Sequence, residues 1–342
     1  MLPRERMQRT LDYQPSDRVG LEYHCCARGL YEHGDKLREM IKAMPGDFED
    51  FSDTPIPVIP QECLEADGRY HQFIRDDWGT LWEYRIFAMA GHPVEFPLKD
   101  MDKLKDYQFP KHVYENPEAL EALRQRCQKT RPTNFFKTGW FGILKKLHAL
   151  RSFEDVLMDI LDDTQPINDL ADRLVAYQME EIDQLLKIGV DGVRFGDDYG
   201  TQKSMLLSPD VWRRFFKPRL KKMIYPIKAA GKRVFFHSCG YIAPILPDLK
   251  EIGVDAVWPQ MTAYPGDELP CLLRELKLAT ALHIDRANLM TRGTPEEVSQ
   301  TIERIAKAFA IEKGGSWFYV ETDNGFPFEN IEALLRAIAR WR

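Results

Sequence analysis

No stretch of the 342 residues approaches the roughly 20 consecutive apolar residues that a membrane-spanning helix requires. The opening run, Met1-Leu2-Pro3-Arg4-Glu5-Arg6, lacks the apolar core of a secretory signal, and a cytoplasmic protein is expected. The six cysteines (Cys25, Cys26, Cys63, Cys127, Cys239, Cys271) form no CxxC pair and are too few in so long a chain for a disulfide framework. Reduced thiols follow. Basic residues are scattered rather than bunched and the net charge of −6 is mild, which excludes nucleic acid and anionic membrane as expected partners. There is no Gly/Ser linker, low-complexity tract or solenoid-length repeat, so one domain over residues 1–342 is expected.

What is present is ordinary for a soluble enzyme: 44% hydrophobic and 29% charged residues, in a chain long enough to bury a large core. Strand patterns fall at residues 18–23, 47–51, 134–140, 191–198, 233–239, 254–260, 278–285 and 316–321, with helical patterns between them. The helix at 167–188 is closed by Gly189. Ser208-Pro209 opens another, which Pro218 splits, and Thr294-Pro295-Glu296-Glu297 is a capping box with proline at the first helical position. Eight strands alternating with helices require a parallel sheet and predict a (β/α)8 TIM barrel. No glycine-rich phosphate fingerprint follows the first strand, so a doubly wound dinucleotide fold gains no support. Residues 56–85 break the pattern: Asp76-Asp77-Trp78-Gly79-Thr80 lies between two alternating runs and predicts a hairpin insertion, a candidate lid or pocket wall.

In such a barrel the chemistry lies at the C-terminal ends of the strands, which here carry Glu22, Gly139, Asp197 and Asp198, His237 and Cys239, Gln260, Asp285 and Glu321. Glu22 is followed by His24, Cys25 and Cys26; it is either a site carboxylate or a structural ion-pair partner. His237 and Cys239 are two apart on a strand, so their side chains project to the same face and can grip one ion. Imidazole nitrogen with thiolate sulfur suits Zn2+ rather than Mg2+ or Ca2+. A catalytic zinc takes three protein ligands, and the third is sought on another strand: Glu321 first, with Asp323 and Glu22 as alternatives.

The runs Asp76-Asp77-Trp78-Gly79, Phe195-Gly196-Asp197-Asp198-Tyr199-Gly200-Thr201-Gln202, Ser208-Pro209, His237-Ser238-Cys239-Gly240, Gly253-Val254-Asp255 with Pro259-Gln260, and Pro327-Phe328-Glu329-Asn330 together resemble the uroporphyrinogen decarboxylase superfamily. They resemble most its corrinoid-dependent methyltransferase branch, cousins of the cobalamin-independent methionine synthases. The resemblance implies a barrel with zinc at its C-terminal mouth. The decarboxylases of haem synthesis carry an arginine-rich run after the first strand. Here that place reads Leu21-Glu22-Tyr23-His24-Cys25-Cys26-Ala27-Arg28, a poor match for a substrate with eight carboxylates. Methanogen coenzyme M methyltransferases of the branch place a further cysteine ligand before the closing helix, where this chain has Val320-Glu321-Thr322-Asp323-Asn324-Gly325-Phe326. A carboxylate there makes a harder, more Lewis-acidic site.

The pattern resembles the first methyltransferase of bacterial O-demethylase systems, which moves a methyl group from a methoxylated aromatic to Co(I) of a separate corrinoid protein. In that reading Asp197 or Asp198 orients a ligand or supplies a proton. Tyr199 and Gln260 line the pocket, and Trp78, Trp140, Phe195 and Trp258 are candidates to stack on a flat substrate. For the acid pair, capping of the following loop is the alternative role; for any single ring, plain packing is. Cobalamin belongs to the partner, since no Asp-x-His-x-x-Gly pattern is present. A metal-free decarboxylase or lyase and a non-catalytic ligand-binding barrel are the other readings.

Overall fold

The computed structural model describes residues 1–24 and 27–342; the adjacent thiols Cys25 and Cys26, singled out in the sequence, lie outside the described residues. The strands are β1 (Leu21–His24), β2 (Gln72–Arg75), β3 (Leu81–Tyr84), β4 (His92–Glu95), β5 (Lys137–Phe141), β6 (Gly192–Gly196), β7 (Arg233–Ser238), β8 (Ala256–Pro259), β9 (Ala279–Leu282) and β10 (Ser316–Glu321). Contacts group the chain into two compact units, one of residues 1–58, 129–137 and 255–342, the other of residues 59–128 and 138–254.

In the first unit the strands run parallel in the order β1-β10-β9-β8, with Glu22 beside Tyr319 and Ser316 beside Thr280. Leu21, Phe318, Val320 and Leu282 meet Ile331, Leu334 and Ile338 of the closing helix Phe328–Ala339 in one apolar cluster. The capping box at Thr294 forms as expected, Thr294 Oγ1 accepting from the Glu297 N–H at 3.2 Å and Glu297 Oε2 from the Thr294 N–H at 2.8 Å.

In the second unit β7, β6 and β5 are neighbours in that order, and Gly196 of β6 stands in register with His237 of β7. The long helix Gln165–Ile188 ends where Gly189 takes a left-handed conformation. Ser208 Oγ caps the helix Pro209–Phe215, and the chain resumes as a helix at Lys217–Ala229, split at Pro218 as the sequence predicts. The hairpin expected around Asp76–Thr80 joins β2 to β3. A third antiparallel strand, β4, extends it. Pro93 inside β4 hid this strand in the sequence; at the edge of a sheet it is tolerated because no neighbour needs its missing N–H.

The architecture is α/β with seven parallel strands, four in the first unit and three in the second. The closed ring of eight expected from the sequence is not completed among the described residues, because the run at 47–51 is not a strand. Asp47 bonds like half a strand: its N–H donates to Leu21 O at 2.7 Å and its carbonyl accepts from the Phe135 N–H at 2.9 Å. Its carboxylate, however, takes the Leu21 N–H at 2.7 Å, the donor that a strand neighbour's carbonyl would have used. Arg6 and Arg342 also bind that fully buried carboxylate. The chain therefore bends at Asp47 instead of continuing a ladder. No helix among the described residues is long and apolar enough to cross a membrane.

Candidate metal centre

The segments that leave β6 and β7 touch backbone to backbone. Gly200 N–H donates to Cys239 O at 3.2 Å and Tyr241 N–H to Thr201 O at 2.8 Å. Only glycine fits this crossing: a Cβ on Gly240, whose φ is +73°, would lie 2.1 Å from the Gly200 carbonyl carbon, and one on Gly200 would lie 2.5 Å from the Tyr241 nitrogen. The contact brings Asp198 to the end of β7, where its Oδ1 accepts the Cys239 N–H at 2.9 Å.

Three ligand atoms converge there. Cys239 Sγ lies 3.4 Å and Asp198 Oδ1 3.5 Å from the same atom, His237 Nε2, and one atom from each residue lies within 4.8 Å of the others. A nucleophile triad would present thiol and carboxylate to opposite nitrogens of the imidazole. Two partners on one nitrogen can at most share a single N–H, at 3.4 and 3.5 Å a long and weak arrangement. A shared cation satisfies both. Ligands held tetrahedrally by zinc at ~2.0–2.3 Å lie roughly 3.4–3.6 Å from one another, so the two spacings at His237 Nε2 and the N, S, O donor set fit Zn2+. Burial tends to raise the pKa of Asp198, but the Cys239 N–H and the nearby His237 outweigh it and hold the carboxyl below its ordinary value.

The other sequence candidates are placed as follows. Asp197 is fully buried and accepts four bonds: from the N–H groups of Ile143 (2.6 Å), Leu144 (3.1 Å) and Lys145 (2.8 Å), and from the Tyr199 hydroxyl (2.8 Å). It thereby fixes the start of the helix Leu144–Leu150. Burial pushes its pKa up to about 6 against the pull of those donors. The Tyr199 ring is buried against Trp212, Phe216 and Phe236.

In the first unit, Glu22 is buried with the Lys137 ammonium at 2.8 Å and the Trp317 indole N–H at 2.9 Å, the structural ion-pair role. Glu321 faces Arg286 Nη1 at 2.6 Å, with Asp323 on the same nitrogen at 3.4 Å; burial lifts the Glu321 pKa. Trp258 packs on Tyr319 with centroids 4.3 Å apart, and Gln260 Nε2 approaches Thr262 Oγ1 at 3.4 Å.

Two cavities flank the centre in the second unit. One of about 440 Å3 reaches Asp198 and is walled by Phe96, Phe153, Leu206, Lys145 and His148. The second, about 350 Å3, is lined by Trp78, Trp82, Trp140, Tyr177, Lys146 and Glu181. The Trp140 indole stands between this cavity and the centre, its ring centroid 5.8 Å from that of His237. Lys145, Lys146 and the place of Asp198 beside His237 and Cys239 do not follow from the sequence. For Asp198 the available signal was the pair of glycines, Gly200 and Gly240, following two adjacent strand ends.

These strand ends and loops define the class of fold that a comparison of whole structures returns. A methyltransferase from Methanosarcina mazei matches with a TM-score of 0.68 at 15% identity, over 99% of this chain and 99% of that one. A B12-independent methionine synthase from Shewanella sp. W3-18-1 gives a TM-score of 0.49 at 16% identity, over 89% of this chain and 84% of its own. Among curated proteins none matches the chain. The sequence profile of the uroporphyrinogen decarboxylase (URO-D) family matches residues 88–341, and the chain belongs to that family.

Proposed function

We propose that this chain is a zinc-dependent methyltransferase that moves a methyl group from a small methylated substrate, a methoxylated aromatic, to the Co(I) of a partner corrinoid protein. One observation carries it: thiol and carboxylate both face the single nitrogen His237 Nε2, at 3.4 and 3.5 Å. The fold shared with a methyltransferase supports the reaction class. His237, Cys239 and Asp198 would hold the ion, whose contribution is Lewis-acid polarisation of the ether oxygen on which charge grows as the methyl group leaves. The chain's own residues set the stage. Asp198 fixes the Cys239 backbone through the 2.9 Å bond, which sets where the thiol is presented. Phe96, Phe153 and Leu206 give the 440 Å3 cavity beside Asp198 an apolar wall, with room for a one-ring substrate.

The test is metal analysis of protein purified without chelator, followed by mixing with reduced corrinoid protein and a panel of methoxybenzenes while the cobalt spectrum is watched for methylcobalamin. About one equivalent of zinc, lost in His237→Ala/Cys239→Ala together with methyl transfer, is expected. Full methyl transfer without metal would overturn the zinc reading, and a metal-free protein with no methyl transfer would leave a reaction of the decarboxylase type.

A further inference from the structure

The 350 Å3 cavity holds a lysine, Lys146, that the wall carboxylate Glu181 and the nearby Asp76 answer only through their field, without a direct ion pair. Its other polar side chains are engaged. Gln178 is spent on Gly142, accepting the N–H at 2.9 Å and donating to the carbonyl at 3.0 Å, and Glu181 lies 3.6 Å from His112 Nδ1. Lys146 makes no direct ion pair among the described residues; its ammonium sits 4.2 Å from the Trp78 ring centroid. Burial pushes it below the ordinary lysine value, against the more distant Asp76 and Glu181. Around it stand three indoles and a phenol, those of Trp78, Trp82, Trp140 and Tyr177, with Lys145 adding a second positive charge at the rim. A half-buried cation among flat aromatic walls, with no carboxylate in hydrogen-bond reach among the described residues, can take an anion carried on a flat apolar body.

We propose that this cavity binds an aromatic carboxylate, its ring among Trp78, Trp82 and Trp140 and its acid group on the Lys146 ammonium. A carboxylate completes the hydrogen bonding of Nζ with charge-assisted bonds, whereas a cationic ligand would meet Lys146 head on. The Trp140 indole, 5.8 Å from the His237 ring, places such a ligand next to the metal centre. As a statement of substrate class this rests on the methyl-transfer reading. As a statement of binding it does not.

The two are separated by measuring binding without turnover. Tryptophan fluorescence or calorimetry is recorded with 4-methoxybenzoate and with neutral 4-methoxybenzyl alcohol, on the wild type, Lys146→Met, Lys146→Arg and the His237→Ala/Cys239→Ala double variant. The wild type is expected to prefer the acid by about tenfold or more. Lys146→Met loses that preference while retaining the affinity for the alcohol, Lys146→Arg restores most of it, and the double variant keeps it. Equal affinity for acid and alcohol in the wild type, or an undiminished preference in Lys146→Met, overturns the inference. The wild-type comparison decides alone where a variant fails to fold. Preference for the acid without methyl transfer would sink the enzymatic reading and leave the binding site standing.

Discussion

His237 Nε2 lies 3.5 Å from Asp198 Oδ1, on the side already taken by Cys239 Sγ. This makes Asp198 the third ligand of the proposed centre, supplied by the strand next to that of His237. Asp198→Ala is expected to weaken zinc binding about 100-fold, in line with the loss of a group that holds or orients a metal ligand. The readout is competition with a chromophoric chelator, alongside thermal melts to confirm folding. The same titration on Glu321→Ala is the discriminating control. A comparable loss there, with Asp198→Ala unaffected, would move the third ligand to the end of β10.

The crossing of Gly200 and Gly240 is where the fold makes the centre possible. A side chain on Gly240 meets backbone at 2.1 Å, which cannot rotate away, in a conformation that already costs an L-residue about 1–2 kcal/mol. Gly240→Ala is therefore expected to lower stability by about 2 kcal/mol or more and to part the β6 and β7 segments. Zinc affinity should fall with it, although no ligand is changed. Chemical denaturation together with the zinc titration checks both. Unchanged zinc affinity in a folded Gly240→Ala chain would show that the segments do not need this contact to present their ligands.

Most of the frame was legible because it is written in local patterns. The capping box at Thr294, the proline-started helix at Ser208 and seven of the parallel strands follow from periodicity and caps. The run at 47–51 misled because its alternation is that of a strand, while the Asp47 carboxylate takes over a backbone bond and gathers two arginines, which only the folded chain reveals. At the site, His237 and Cys239 were visible as a same-face pair on one strand. The Asp197/Asp198 pair was visible as well, but not its division of labour: one carboxylate buried on the N–H groups of Ile143, Leu144 and Lys145, the other turned to Cys239. That division depends on which of two neighbouring side chains points inward, and a one-residue shift at the end of β6 would exchange them. Lys146 gave no signal, since a lysine on a helix is normally solvated and only the aromatic walls around it make it unusual.

In the first unit, Arg6 ties the start of the chain to two carboxylates. Its Nε donates to Asp17 Oδ1 at 2.7 Å, and Nη1 donates to the fully buried Asp47, which Arg342 also holds at 2.8 Å. The hydrogen bond from Arg6 draws the Asp17 carboxyl well below the usual range, more than partial burial raises it. A depressed carboxyl binds fewer protons folded than unfolded, so its stabilisation is complete above the unfolded value of about 3.9 and drains away as the pH falls below it. Urea denaturation from pH 7 down to pH 3 should therefore show a smaller acid loss in Asp17→Asn than in the wild type. Arg6→Met should cost about 3 kcal/mol at neutral pH, because it removes one of the two arginines facing a buried charge. Parallel pH profiles for wild type and Asp17→Asn would mean that Asp17 reaches the same pKa in the unfolded chain, and that the clasp adds nothing to acid resistance.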